Sequence, residues 1–238
     1  MLIVPQNWAE NVANVRSRIA AAAQVANRDP AHITLVAVSK GHPIEAVRAV
    51  HALGVADFGE NYPQEAQAKI DALPSAGPIW HFIGKMQSNK TRPIAAHFAW
   101  VHGIDRIAIA RRLHEQRPYH APALQVCLQV KLADEPGKAG VAPDELAILA
   151  REVARFERLQ LRGLMCLPPP TDDVATQRMR FRRLRELRDA LNDKGHSLDV
   201  LSMGMSGDFE AAIAEGATHV RVGTAIFGAR PDPKQKES

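Results

Sequence analysis

The chain has 238 residues, 46% of them hydrophobic and 24% charged, which are ordinary globular values and leave room for one barrel or two small domains. A chain of this length can bury a core without disulfides or a structural metal. Its 30 Lys and Arg residues are offset by 26 Asp and Glu, and the net charge of +4 suits anionic ligands while falling short of a nucleic-acid signature.

The first residues, Met-Leu-Ile-Val-Pro-Gln-Asn, turn polar at once and contain no signal-peptide core. No apolar run reaches the roughly 18 residues that a membrane span requires. A soluble, cytoplasmic protein is the expectation. An opening helix over about 7–27 precedes a strand at Ile33–Ser39. The segment from Pro43 to Leu53-Gly54 opens with proline and closes with glycine, the asymmetry of a helix. Short apolar runs follow at Ala56–Phe58, Pro78–Ile83, Ala99–Gly103, Leu124–Val130 and Leu161–Leu167, each read as a strand. The two cysteines, Cys127 and Cys166, sit inside such runs and read as small buried hydrophobes in a reducing compartment.

Between Asp172 and Lys194, Phe181, Leu184, Leu187 and Leu191 recur at three- and four-residue steps, the spacing of one helix face. The opposite face carries Arg178, Arg180, Arg182, Arg183, Arg185 and Arg188. Glu186 and Asp189 interrupt that stripe and no aromatics are interleaved, so it reads as a solvated outer face rather than a nucleic-acid surface. A strand at Leu198–Leu201, a helix from Asp208 to Glu215-Gly216 and a last strand at His219–Gly223 complete the pattern. The polar, Pro- and Lys-rich tail beginning about Arg230 reads as frayed. Strands alternating with helices at this length predict an α/β fold, a single-domain (β/α)8 TIM barrel over 1–230 with an extra N-terminal helix and a polar tail at 231–238. A doubly wound sheet would announce itself with G-x-G-x-x-G after the first strand, where the chain has Ser39-Lys40-Gly41.

In such a barrel, function gathers at the C-terminal ends of the strands. Lys40 ends the first strand and has the parity of Thr34, Val36 and Val38. Two readings stay open. An amine on the interior face would be partly desolvated and able to attack an aldehyde; alternatively, Lys40 pairs with a carboxylate such as Glu60. Around Leu201-Ser-Met-Gly-Met-Ser-Gly-Asp208, glycines and serines meet a strand-to-helix junction suited to phosphate. Val220-Arg-Val-Gly-Thr-Ala225 offers a second turn of that kind, and the loops after strands seven and eight are the usual phosphate station of this fold. Arg221 reads either as a salt-bridge partner under the loops or as a permanent cation beside a bound heterocycle. His81, in Trp80-His-Phe-Ile-Gly84, reads first as a satisfied core histidine. The ten histidines and two cysteines show no metal-ligand spacing.

Ala37-Val-Ser-Lys40, Phe58-Gly-Glu-Asn-Tyr62, Trp80-His-Phe-Ile-Gly84 with Gln87-Ser-Asn-Lys90, Arg162-Gly-Leu-Met165, Leu201-Ser-Met-Gly-Met-Ser206 and Val220-Arg-Val-Gly-Thr-Ala-Ile-Phe-Gly228 resemble the pyridoxal phosphate homeostasis protein family. The resemblance implies a barrel similar to the alanine racemase N-terminal domain and pyridoxal 5′-phosphate held covalently, as a Schiff base, on Lys40. It also implies phosphate contacts from Ser206 and the Gly223-Thr224 turn, and Arg221 facing the pyridine nitrogen. Asn61 is the matching residue on the second strand's loop, and His81, Met203 and Met205 complete the candidate cofactor-binding set. Two departures are visible: Ser39-Lys-Gly-His-Pro43 stands where Ser-Lys-Thr-Lys-Pro is frequent, and Gly84-Lys-Met-Gln87 where Gly-Pro-Leu-Gln is common. The first puts any cofactor-transfer role of position 42, here His42, in doubt.

Three functions are compatible with these residues. The resemblance implies a carrier that holds and releases the cofactor without catalytic turnover, a monomer that meets apo-enzymes transiently. A pyridoxal-phosphate racemase of low activity is the alternative. It would need two bases, one of which related racemases borrow from a β-rich domain, and this chain runs out soon after its eighth strand. A class I aldolase acting through Lys40 would share the lysine and the phosphate site.

Overall fold

The computed structural model describes residues 7–73, 77–132 and 139–230. The predicted polar tail at 231–238 lies outside the described residues. Eight parallel strands close into one barrel in chain order. They are β1 (Thr34–Val38), β2 (Asp57–Glu60), β3 (Ile79–Phe82), β4 (Trp100–Ile104), β5 (Leu124–Gln129), β6 (Leu159–Met165), β7 (Val200–Met205) and β8 (His219–Val222). The helices between them are α2 (Ile44–Ala52), α3 (Pro63–Asp71), α4 (Thr91–His97), α5 (Ile107–Gln116), α6 (Leu146–Val153), α7 (Val174–Asn192) and α8 (Phe209–Ala214). A long α1 (Trp8–Val25) precedes β1, and a single turn, α9 (Thr224–Phe227), follows β8. The fold is the (β/α)8 barrel with an added N-terminal helix.

Strand parity sorts the side chains into two layers. Outward residues such as Ala37, Phe58, Phe82, Val101, Leu164, Leu201 and Val220 join one continuous apolar cluster beneath the helices. Inward residues differ in kind. Cys127, Met165 and Val200, with Trp100 against them, form a small apolar group, and beside them lie Asp57, His81, His102, Ser202, His219 and Arg221. A barrel of this type ordinarily fills its interior with Val, Ile and Leu. Here much of the interior is a hydrogen-bonded polar layer.

Strand β7 runs further than its pattern suggests. The Ser-Met-Gly-Met stretch, expected as a turn, continues the strand to Met205 and leaves only Ser206–Asp208 as the turn. Gly204 makes this possible. Its φ of +93° accompanies a register shift between Ser202 and Met205, and an added Cβ would come within 2.7 Å of the Ala212 side chain. Met203 therefore points into the helix layer, fully buried, and away from the strand-end loops.

Helix α1 buries Val12, Val15, Ile19 and Ala23, at helical spacing, against α8, α9 and α2. Arg16 donates to the carbonyls of Leu53 and Gly54 at 2.9 and 2.8 Å, tying α1 to the turn after α2. On α7 the expected apolar face is buried through Phe181, Leu184 and Leu191, and Asp173 caps the first turn by accepting from the Ala175 and Thr176 amides. Its arginine face is only partly a solvated one. Arg178, Arg182 and Arg185 converge on the buried Glu215 carboxylate at 2.8, 3.0 and 3.1 Å, and Arg180 donates to the Pro169 carbonyl at 2.7 Å.

Burial pushes the Glu215 carboxyl up, but the hydrogen bonds and charges of Arg182 and Arg178 outweigh it and hold the group below the usual carboxylate range. A depressed carboxyl stabilises the fold above its unfolded-state pKa, and that contribution is lost as pH falls through the folded-state value. Glu215→Ala is expected to cost about 2 kcal/mol near neutral pH, discounted for the half-exposed arginines. In urea titrations the gap from the parent chain should close as the pH drops below about 4.3; a gap that persists into acid would contradict the clamp.

Candidate active-site cavity at the strand ends

A cavity of about 330 Å³ opens at the C-terminal ends of β1, β2, β7 and β8. That is the lower end of the range of small-molecule sites and suits one compact ligand. Lys40, Asn61, Met205, Ser206, Arg221, Gly223 and Thr224 line it. Seven of the nine residues singled out in the sequence thus share one wall system. Met203 belongs to the helix-layer core, and His81, fully buried in the barrel interior, bonds Asp57 and His102; neither lines the cavity.

Strand β1 delivers Lys40 from its interior face. Val36 and Val38 press on Gly59 inside the barrel, and Lys40 continues their parity into the cavity. The alternative partner, Glu60, is engaged elsewhere. It accepts from the Ser39 hydroxyl at 2.6 Å and from Lys69 Nζ at 2.7 Å. Among the described residues no hydrogen bond or ion pair occupies the Lys40 amine. Burial, followed by the Arg230 charge, holds that amine below the usual lysine range, while Glu60 acts in the opposite sense.

Behind Lys40, on the helix side of the sheet, Lys69 of α3 gathers three oxygens. Its ammonium donates to the Ser39 carbonyl at 2.8 Å, to Glu60 and to Glu65 at 2.8 Å, and Glu65 in turn accepts from the Gly41 amide at 2.6 Å. The backbone on both sides of Lys40 is therefore tied to one buried cation. Burial raises the Glu60 carboxyl against the pull of Lys69.

The remaining walls are suited to an anion and to a polar ring. Ser206, Gly207, Gly223 and Thr224 present hydroxyls and glycine backbone on one side. Asn61 carries a buried side-chain oxygen with no partner among the described residues, an acceptor that a ligand donor could satisfy. Gly84 allows this placement, because a Cβ there would collide with the Asn61 backbone. Arg221 is pinned against the wall, donating from Nη1 to Ser202 Oγ at 2.6 Å and from Nη2 to the Cys166 carbonyl at 2.9 Å. Burial lowers its pKa, yet a guanidinium keeps its proton.

Two lining residues were less legible. Arg230, at the start of the polar tail, turns back so that its side chain packs over Gly41. His42 stacks on Phe227 at 5.1 Å, and burial, with the Lys69 charge, lowers its pKa. Proximity of Arg230 to Gly41 needs the barrel closed, and no local pattern foretells it. Cys127 and Cys166 are free and buried, and burial pushes both thiols up to about 12, which removes them as nucleophiles. Among the described residues no group of three or more His, Cys, Asp or Glu is arranged to hold a metal, and no helix is long and apolar enough to cross a membrane.

The buried cation behind Lys40 gives a direct test of what holds the site. Lys69→Met leaves the Glu60 carboxylate buried without its partner and should cost about 3 kcal/mol. Adding Glu60→Gln should recover part of that loss in urea denaturation. A neutral Lys69→Met would show that the network does not support the loop.

Comparison with known proteins agrees with this geometry. The family model for the alanine racemase N-terminal domain matches residues 8–231. The pyridoxal phosphate homeostasis protein of Pseudomonas aeruginosa is 58% identical over 222 residues, covering 93% of this chain and 95% of that protein. The Escherichia coli K12 protein of the same name is 47% identical, covering 95% of this chain and 98% of its own length. Among solved structures, PipY of Synechococcus elongatus with PLP bound superposes with a TM-score of 0.82 at 38% identity, covering 93% of this chain and all of that one. Lys40 and the walls around it thus sit in a barrel of shared descent: the chain belongs to the pyridoxal phosphate homeostasis protein family, within the alanine racemase N-terminal domain fold.

Proposed function

We propose that this chain binds pyridoxal 5′-phosphate covalently through Lys40, holds it reversibly, and serves to store and deliver it rather than to turn over a substrate. The observation that carries the reading is a half-buried lysine amine with a lowered pKa and no bonding partner among the described residues, opening into the same cavity as the Ser206 and Gly223-Thr224 turns. When bound, the cofactor supplies an aldehyde for the lysine and a conjugated ring. The residues supply the rest. A lowered amine pKa leaves more of the nucleophilic, neutral form near neutral pH. Ser206, Gly223 and Thr224 line the cavity and would hold the phosphate, and Asn61, whose side-chain oxygen has no partner among the described residues, would meet the ring's polar edge. Arg221 would meet the ring nitrogen as a donor that cannot release its proton.

Two features favour holding over turnover. Racemisation requires a base on each face of the reacting carbon. Among the described residues the cavity lining contains no carboxylate and no tyrosine, and its one imidazole, His42, is stacked on Phe227. A permanent cation at Arg221 would also keep the ring nitrogen unprotonated and weaken the ring as an electron sink. We further propose that the chain works as a cytoplasmic monomer that passes the cofactor to apo-enzymes in transient encounters. The cavity's opening at the strand-end rim supports the transfer step alone.

Titrating the chain with pyridoxal 5′-phosphate should produce a visible absorbance band. Borohydride reduction should then fix one cofactor mass on the peptide carrying Lys40. Lys40→Ala should lose both signals while keeping its thermal unfolding midpoint. Survival of the band in Lys40→Ala would refute the attachment, and its absence from the parent chain would turn the reading toward an aldolase. Sustained α-proton exchange of D- or L-alanine at an enzyme-like rate would overturn the carrier assignment.

A further inference from the structure

The interior of the barrel carries titratable groups that the cofactor site does not use directly. His81 and His102 are fully buried, and with Asp57, Ser202 and Arg221 they form a continuous line of hydrogen bonds. Asp57 Oδ1 lies 2.8 Å from His81 Nε2, and His81 Nδ1 lies 2.9 Å from His102 Nε2. His102 Nδ1 lies 2.7 Å from Ser202 Oγ, which Arg221 Nη1 reaches at 2.6 Å. The line begins at Asp57, beside a separate cavity bounded by Arg16 and Thr34 at the barrel floor, and ends at Arg221 in the wall of the cofactor cavity.

The chemistry of its two ends sets the direction of every bond. Arginine only donates, and an ionised carboxylate only accepts. Burial holds both imidazoles in the neutral form, with one N–H each. His81 must give its single proton to Asp57 from Nε2, so its Nδ1 accepts. His102 must then donate from Nε2, which leaves its Nδ1 as an acceptor for the Ser202 hydroxyl. The Ser202 proton is thereby drawn away from Arg221, and an oxygen lone pair is turned toward the guanidinium. One arrangement of protons satisfies the whole line, and it makes Arg221 a donor at both of its wall contacts. Trp100 stacks on His81 at 5.5 Å with its plane 6° away, which fixes the ring that starts the sequence.

We propose that Ser202, His102 and His81 are positioning residues whose one-way hydrogen-bond line, anchored on Asp57, holds the Arg221 guanidinium in the orientation that addresses the cofactor's ring nitrogen. The inference rests on the cofactor reading above and extends it to residues that touch no ligand. Without His102 the Ser202 hydroxyl is free to rotate its proton toward Arg221, and the guanidinium loses one of its two wall contacts.

The test compares pyridoxal 5′-phosphate with its 1-deaza analogue, in which C–H replaces the ring nitrogen, by absorbance titration of the apo-protein. The parent chain should prefer the natural cofactor by roughly tenfold, the worth of one charge-assisted hydrogen bond. Ser202→Ala and His102→Phe should each bring that ratio close to unity by weakening the natural cofactor and sparing the analogue. Cys127→Ala, an interior change outside the line, should keep the preference, and a merely structural role would lower both ligands alike. Full preference retained in either folded variant would overturn the inference. A parent chain with visible binding but no preference would overturn the placing of Arg221 at the ring nitrogen, and a parent chain with no band at all would overturn the cofactor reading itself.

Discussion

Strand β1 pairs with β8 from Thr34–His219 to Ala37–Val222, and this seam joins the two ends of the described chain. Through it Val36 stands beside Arg221, and Lys40 emerges next to the Gly223-Thr224 turn. Parallel pairing allows this because both strands then end at the same rim. Helix α1 covers the seam from outside by packing on α8 and α9, and Asn11 donates to the Ile226 carbonyl at 2.9 Å. The Lys40 amine from one end of the chain and the Gly223-Thr224 turn from the other share a cavity only while this closure holds.

Charge is divided between the faces of the sheet. The outer face holds Ser39, Glu60 and Lys69, whose bonds neutralise one another and immobilise the backbone around Lys40. The inner face leaves Lys40 and Arg221 lining the cavity, with no carboxylate beside them in the lining among the described residues. Because residues alternate across a strand, neighbours in sequence can serve opposite purposes: Ser39 joins the network that secures the loop, and Lys40 lines the cavity. The charges of Arg230 and Arg221 near the half-buried Lys40 amine disfavour its protonated form, and an anion among these groups would lower that cost.

The polar barrel interior departs from the apolar filling usual for the fold. Buried polar groups are tolerable when each finds a partner, and the line from Asp57 to Arg221 meets that condition. Stability that a Leu or Val layer would have supplied is exchanged for a defined orientation of one arginine. The small apolar group of Cys127, Met165 and Val200 fills the rest of the space.

Much was legible in the chain alone, for identifiable reasons. Alternating strands and helices follow from local periodicity, and the parity of Lys40 with Val36 and Val38 follows from strand geometry, so the barrel and the lysine's face were determined by sequence. The turn after β7 was misjudged because Gly204 sustains a strand through a bulge, which buries Met203. His81 was read first as a satisfied core histidine and also set among the site candidates by its motif; its ring bonds to Asp57 and His102 inside the barrel and does not line the cavity. Only the tertiary structure decided that Glu60 answers to Lys69 instead of Lys40, that Arg230 returns to Gly41, and that two histidines join Ser202 to Arg221. Each of these depends on which distant strands become neighbours, and a sequence records local periodicity without recording the distances that closure creates.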